Sequence, residues 1–158
     1  MTKDYLDICK DLLTHREFEE SLFVCQKAIQ YHDRPETRTD VSKIYFSMSA
    51  SLRGLGRLDE SKKYLYLAIE GFKDGLKKEP NSTEILSDIG MALAINGSFS
   101  EGIGYLERAV KINPSNSTFR FMLADMLIWQ KDYAGAETAI TDAIIAMKQT
   151  GNKEAISQ

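Results

Sequence analysis

The sequence predicts an all-α fold built from four helical hairpins. Three observations lead to this expectation. A pattern of small and apolar residues recurs four times along the 158 residues. Only three prolines and ten glycines interrupt the chain, and runs of β-branched residues, which favour strands, are scarce. A hydrophobic share of 43% with 27% charged residues is typical of a globular protein with a real core, and the length predicts one domain over residues 1–158.

The recurring pattern places small residues where two helices of a hairpin would face each other. In the first helices these residues are Cys9, Ser49, Gly90 and Ala124, each followed three positions later by a leucine. In the second helices they are Ser21, Ser61, Gly102 and Ala136, each followed seven positions later by an alanine. Small facing residues let backbones approach closely, while larger neighbours fill the grooves between side-chain ridges. A single hairpin cannot bury its apolar face, so we expect the hairpins to stack.

The pattern divides the chain into units at residues 2–34, 42–79, 83–116 and 117–150. A loop is predicted from His32 to Thr39, because the residue before Pro35 is biased away from helix. The second helix of the second unit is predicted to continue two extra turns, to Lys78, before Pro80 ends it. Residues 151–158 begin with a helix-stopping glycine and are expected to form a flexible tail or the start of a further helix.

At these positions the chain resembles the tetratricopeptide repeat family. The likeness covers nearly the whole chain in four units, and the third unit has the family's usual 34-residue length with its closing proline, Pro114. Arg120 departs from the pattern, because the family usually has a large apolar or aromatic residue there. The resemblance implies a right-handed superhelical α-solenoid of about eight helices, with first helices lining a concave surface and second helices forming the convex back. It also implies a scaffold or adaptor that binds protein segments and has no catalytic activity.

Under this resemblance, first-helix side chains that the core does not need are candidates for a peptide-binding groove. They are Leu6, Lys10, Lys43, Phe46, Ala50, Arg53, Ser87, Met91, Phe121, Asp125 and Ile128. The set is apolar in its middle and changes from basic in the first two units to acidic in the last two. It therefore predicts a groove for an amphipathic helix or an extended apolar segment of a partner protein. Packing of the same side chains against neighbouring units or a second copy of the chain is the alternative.

One kind of peptide is disfavoured by the residues themselves. Some members of the family clamp a C-terminal carboxylate with lysines, an arginine and asparagines at set places. The corresponding places here hold Leu6, Lys10, Ser47, Glu84 and Asp88. The clamp is absent, and the two acidic side chains would repel a carboxylate.

The last unit predicts a second interaction surface. Residues 119–130 are apolar nearly all round, and such a helix is expected to be covered on most sides. Repeat arrays need polar end faces, and no further capping helix is predicted here. We therefore expect an end face for self-association at Trp129, Tyr133, Ile140 and Ile144. The alternatives are that the chain is the repeat portion of a larger protein, or that its tail folds back.

Several function classes are disfavoured. The sequence has no glycine-rich phosphate loop, zinc-protease helix or nucleophile turn, so we expect neither an enzyme nor a cofactor. A net charge of −3 argues against nucleic-acid binding. No apolar run reaches 18 residues, so no membrane insertion is expected. The N-terminus lacks the apolar stretch of a signal peptide, which favours a cytoplasmic location.

The two cysteines, Cys9 and Cys25, fall at apolar positions of the repeat. Their spacing of sixteen residues matches no metal-ligand pattern, so no metal site is expected. We expect two reduced, buried thiols, and a redox pair is the less favoured interpretation.

Overall fold

The computed structural model describes residues 2–30 and 38–156, with side chains for residues 5–30 and 40–149. These residues form eight α-helices and no strand. The helices are α1 Thr2–Thr14, α2 Phe18–Gln30, α3 Arg38–Gly54, α4 Leu58–Lys78, α5 Thr83–Ile95, α6 Phe99–Ile112, α7 Ser117–Trp129 and α8 Tyr133–Ile156. Consecutive helices pack as four hairpins, which confirms the predicted all-α class.

The eight helices form two compact units, Met1–Lys78 and Glu79–Gln158. In the first unit α2 packs against both α1 and α3, α1 also contacts α3, and α4 closes the second hairpin against α3. In the second unit α6 packs against both α5 and α7, α5 contacts α7, and α8 closes the last hairpin against α7. Each unit thus contains two successive hairpins of the repeat.

One turn geometry joins the two helices of every hairpin. Each turn has one residue with a positive φ: Arg16, Gly56, Gly97 and Lys131. The next residue donates its N–H to the carbonyl five positions back, at Leu12, Leu52, Leu93 and Leu127, over 2.8–2.9 Å. This bond is the six-to-one link of a Schellman cap. The recurring leucines of the sequence pattern therefore both pack the hairpin and mark where its first helix ends.

The small residues lie at the crossing points that the sequence predicted for them. In the first unit Ser21 and Ser61 donate their hydroxyls to the carbonyls of Cys9 and Ser49, at 3.1 and 2.8 Å. In the third hairpin both crossing residues are glycines. A Cβ added at Gly102 would lie only 2.7 Å from the Gly90 carbonyl oxygen. The α5–α6 backbones therefore approach more closely than an alanine at this position would permit.

Each unit has its own apolar core. In the first unit the core consists of Leu6, Cys9, Leu22, Cys25, Ala28, Ile44, Met48 and Leu52. A cluster in the second unit joins Ala94, Ile103, Leu106 and Met126 from three helices. Both cores alternate small residues at the crossings with larger ones beside them, as ridge-into-groove packing requires.

Two helix ends differ from the sequence prediction. Helix α3 begins at Arg38, inside the predicted loop from His32 to Thr39, while residues 31–37 lie outside the described part of the chain. Helix α8 continues through Gly151, which was expected to stop it, and ends at Ile156. A glycine inside a helix costs only about 1 kcal/mol relative to alanine, and the lysine, glutamate and alanine that follow it are strong helix formers. Helix α4 does run to Lys78 as predicted.

The two cysteines meet inside the first hairpin. Cys9 on α1 and Cys25 on α2 are fully buried, as predicted, and their sulfur atoms lie in contact with each other. Their Cα atoms are 6.1 Å apart, within the usual range for a disulfide. The antiparallel hairpin brings together two positions that sequence spacing alone does not connect.

Candidate functional site

In the first unit, the predicted groove residues divide between the core and the surface. Leu6 is only 7% exposed and belongs to the core, so it supports the first-helix face without being available to a ligand. Lys10 on α1 and Arg53 on α3 are exposed. The remaining three, Lys43, Phe46 and Ala50, lie half-buried along α3. Phe46 and Ala50 are one helical turn apart, so they lie on the same side of α3.

In the second unit, α5 contributes little accessible surface. Ser87 is 8% exposed, and its hydroxyl donates to the Glu84 carbonyl at 2.8 Å, as a side chain engaged with its own helix does. Met91 is half-buried and packs against the core cluster. These two predicted residues are therefore largely covered, and the accessible side chains at the predicted groove positions of the second unit belong to α7.

Helix α7 presents three predicted residues together. Phe121, Asp125 and Ile128 follow one another at spacings of four and three, which places them along one face of the helix. Phe121 is 38% exposed and Ile128 is 42% exposed, with the exposed carboxylate of Asp125 between them. The face is thus an apolar strip interrupted by one negative charge.

The reason for this exposure is the composition of α7. Asn116 caps the helix by accepting the Thr118 N–H at 2.9 Å, and Ala124 and Met126 are buried on the inner side. Because apolar residues occupy all sides of the helix, burying one side leaves others in solvent. An exposed apolar strip of this kind is typical of a surface that binds another protein.

The predicted end-face residues lie on either side of the α7–α8 turn and along α8. The Trp129 ring packs against Phe99 of α6, with ring centroids 6.1 Å apart, and still exposes half of its surface. Tyr133 is the most exposed of the set, and Ile144 is more exposed than Ile140. Trp129 therefore also helps to hold the hairpins of the second unit together.

Sequence reasoning missed several exposed apolar side chains on the second helices. In the first unit, Phe23 on α2 and Tyr66 on α4 are 60% and 63% exposed. In the second unit, Ile145 and Met147 on α8 are also exposed. The sequence does contain a signal for them, because each is an apolar residue that lies outside the apolar stripe marking the core side of its helix.

Three side chains with shifted pKa values, His15, Arg57 and Glu60, lie at two hairpin turns, away from the predicted groove. A hydrogen bond from Arg57 lowers the pKa of the exposed Glu60 carboxyl, with two N···O distances of 2.7 Å. A hydrogen bond to the Asp11 carbonyl and the nearby Asp11 carboxylate raise the pKa of His15. Both arrangements are local links within one turn and do not assemble a reactive cluster.

The described side chains include no group of three or more histidine, cysteine, aspartate or glutamate residues placed to hold a metal ion. Over the same part of the chain, no helix has the length and apolar character needed to cross a bilayer.

A sequence model of the tetratricopeptide repeat (TPR) family matches residues 42–70 and 83–116, which fall in the α3–α4 and α5–α6 hairpins. No curated protein matches the chain.

Solved structures match over both units. A thermophilic TPR protein of Thermus thermophilus shares 15% identity at a TM-score of 0.56, covering 92% of this chain and 91% of that protein. BtubC of P. vanneervenii shares 14% identity at a TM-score of 0.65, covering 95% of this chain and 64% of that one. MamA (41-end) of Desulfovibrio magneticus RS-1 shares 16% identity at a TM-score of 0.51, covering 94% and 96%. At these identities the likeness shows the fold alone: an all-α solenoid of helical hairpins.

Proposed function

Because this chain carries tetratricopeptide repeats, the units of protein–protein interaction scaffolds, we propose that it is an adaptor whose first-helix faces bind an apolar or amphipathic segment of a partner protein. The observation that carries the proposal is the strip of Phe121, Asp125 and Ile128 on α7. Proteins built from these repeats generally lack catalytic activity of their own, which agrees with an adaptor role.

The binding free energy expected for this surface comes from the apolar side chains that α7 leaves exposed. Full burial of a phenylalanine or isoleucine side chain stabilises by about 1.5–3 kcal/mol. Since Phe121 and Ile128 each keep roughly two-fifths of their surface exposed, covering them supplies about 1 kcal/mol apiece. Two such contacts supply only a modest binding free energy. Half-buried side chains such as Met91 add to it.

The chemistry of the partner follows from the spacing. An amphipathic helix with apolar residues at intervals of three and four would lay its apolar side along the α7 strip. The Asp125 carboxylate favours a lysine or arginine in the middle of that segment. We therefore expect an apolar helix that carries a basic residue on the docking side.

The test is comparative capture of binding partners with two variants of the chain. The double change Phe121→Glu and Ile128→Glu places charge on the strip, whereas Phe23→Glu places charge on a more exposed aromatic residue of α2. Proteins captured by the unmodified chain and by Phe23→Glu, yet lost with the double variant, are the expected partners. Capture that survives the double change sinks the assignment of this face.

Folding must be measured separately, because α7 also contributes to the core. Helical circular dichroism and the fluorescence of Trp129, the sole tryptophan, report whether the second unit is intact. Asp125→Lys serves as a milder variant, since its side chain is exposed. It should weaken binding of a basic segment without loss of helix, and unchanged binding would contradict the proposed partner chemistry.

A second candidate function is self-association through the last unit. It is favoured by the exposure of Tyr133 and Ile144 on α8. Light scattering should then show a mass that rises with concentration, and Ile144→Glu should abolish that rise. A constant monomer mass over the range would rule this function out.

A further inference from the structure

The first unit contains a cavity that none of the predicted groove residues line. It lies between α2, α3 and α4 and has a volume of about 310 Å³. The lining side chains are Gln26 and Ile29 of α2, Tyr45 and Met48 of α3, and Lys63, Tyr64 and Leu67 of α4. This volume is at the lower end of the range of about 300–1,000 Å³ found for ligand sites. It suits one or two side chains of a bound segment.

The interior of the cavity is apolar and aromatic. Met48 is 2% exposed and forms its deepest part, while the Tyr45 and Tyr64 rings lie 5.8 Å apart at a tilt of 37°. Ile29 is half-buried and Leu67 is 37% exposed, so the apolar lining continues to the opening. Methionine is flexible and polarisable, and it adapts to side chains of different shape.

The polar groups lie at the opening. Gln26 and Lys63 are both exposed, and among the described residues that line the cavity Lys63 alone carries a charge. The preceding turn of α4 carries two acidic residues, Asp59 and Glu60. The Glu60 carboxylate is held by the two-point contact with Arg57 and is also attracted by the charge of Lys63. The ammonium group at the opening therefore favours a ligand carboxylate.

The repeat register shows that this lining is particular to the first unit. Aligning Ser49 with Ala124 and Ser61 with Ala136 places Arg120 at the position of Tyr45 and Ala139 at the position of Tyr64. Thr138 stands at the position of Lys63, and the Arg120 guanidinium donates to the Pro114 carbonyl. The aromatic pair and the cation are thus additions to the common hairpin framework, which the second unit builds without them.

We infer that this cavity is a second docking site, which takes a leucine-sized apolar side chain of a partner segment followed by a residue with a carboxylate. The apolar side chain would lie beside the packed tyrosine rings, above Met48, and the carboxylate would pair with Lys63. That the ligand is a protein segment rests on the proposed adaptor function. The acidic requirement distinguishes this site from the α7 strip, which favours a basic segment.

The test uses NMR titration of the whole ¹⁵N-labelled chain with three capped dipeptides at millimolar concentrations. The probes are acetyl-Leu-Glu-amide, acetyl-Leu-Gln-amide and acetyl-Ala-Glu-amide. The first should give saturable shifts of the backbone amides around Ile29, Met48 and Tyr64. Removing the carboxylate should weaken its binding about two- to fivefold, the range of a solvent-exposed ion pair. Removing the leucine side chain should abolish saturable binding.

A matched pair of variants tests the role of Lys63. Lys63→Glu should remove the preference for the acidic dipeptide, whereas Lys62→Glu makes the same charge change on the neighbouring residue, which does not line the cavity. Equal effects of the two variants would mean that general surface charge, and not the cavity, sets the preference. Shifts that are absent, or that do not saturate, would overturn the site.

The same dipeptide titration also shows whether the ligand binds this cavity or the α7 strip. The Phe121→Glu and Ile128→Glu double variant should keep the dipeptide shifts in the first unit unchanged. If the shifts map to α7 and vanish in that variant, the ligand binds the α7 strip and the cavity is not a docking site. If the shifts persist and partner capture also survives the double change, the adaptor proposal for α7 is wrong and the cavity stands.

Discussion

Substituting Gly102 by alanine tests how closely the third hairpin is packed. Gly102 on α6 lies against Gly90 on α5, and its added Cβ would be 2.7 Å from the Gly90 carbonyl oxygen. It would also lie 3.4 Å from the Met126 sulfur on α7. The close contact is with backbone, which cannot turn aside as a flexible side chain can, so the two helices must separate.

Two opposing effects determine the size of the change. Overpacking a close contact costs about 1–3 kcal/mol, and shifting helix backbone belongs in the upper part of that range. Alanine in place of glycine gains about 1 kcal/mol in helix propensity. The net expectation for Gly102→Ala is a loss of about 1–2 kcal/mol. Gly104, two residues further along α6, has no atom within 4 Å of an added Cβ, so Gly104→Ala should gain about 0.5–1 kcal/mol.

Urea and thermal unfolding followed by Trp129 fluorescence measure both variants, because the single tryptophan lies in the second unit. For a unit of this size, 1 kcal/mol corresponds to about 4–8 °C in Tm. The two variants should therefore lie on opposite sides of the unmodified chain. Gly90→Ala should fall between them, since its Cβ would meet atoms at 3.1 Å. A Gly102→Ala chain as stable as Gly104→Ala would refute the close approach of α5 and α6.

Two further predictions concern the first hairpin. NMR should place the pKa of His15 above its ordinary 6.5. Asp11→Asn should lower this pKa only in part, because the hydrogen bond to the backbone carbonyl of residue 11 remains. A pKa at or below 6.5 in the unmodified chain would contradict the contact. The stabilisation from this raised pKa is present below pH 6.5 and lost as pH rises through the folded value. The contact between Cys9 and Cys25 predicts that they form a disulfide under oxidising conditions. Unfolding the chain without reductant should then expose no thiol to a thiol reagent, and reduction should lower the stability of the first unit by about 3 kcal/mol, as for other loops of this length. Two reactive thiols would show that the bond does not form.

The regular parts of the fold were predictable because they repeat. Leu12, Leu52, Leu93 and Leu127 each accept the hydrogen bond that ends a first helix, and a position that serves packing and capping together leaves a strong periodic signal. The extra turns of α4 were visible for a similar reason, since the buried Phe72 continues the apolar stripe toward Lys78. Periodicity therefore located the helices and their turns.

The cysteine pairing and the end of α8 were not predictable from local signals. Cys9 and Cys25 meet because two helices run antiparallel, and that contact is not encoded by either residue's neighbours. Gly151 resembles a helix stop, yet the residues after it favour helix, and only their combined preference decides the outcome. At the end of α8 the competing preferences are of similar size, so a single glycine is a poor guide to where the helix stops.

The candidate sites were only partly predictable, because accessibility depends on how helices rotate within their hairpins. Leu6 and Ser87 are buried, whereas Phe121 and Ile128 are exposed, although all four stand at groove positions in the repeat register. The sequence identifies the side of the helix that faces away from its hairpin partner. It does not reveal which side chains on that side the neighbouring first helix covers.

The comparison of equivalent positions suggests where partner specificity resides in this chain. At the crossing points every hairpin has a small residue, because two backbones must approach, and such positions have little freedom to encode a ligand. The positions around them differ freely: Tyr45 corresponds to Arg120, and Lys63 corresponds to Thr138. Such changes alter the lining of one unit without disturbing the hairpin. Two units with the same framework can therefore present an aromatic cavity with a lysine at its opening in one and an apolar strip with a negative charge in the other.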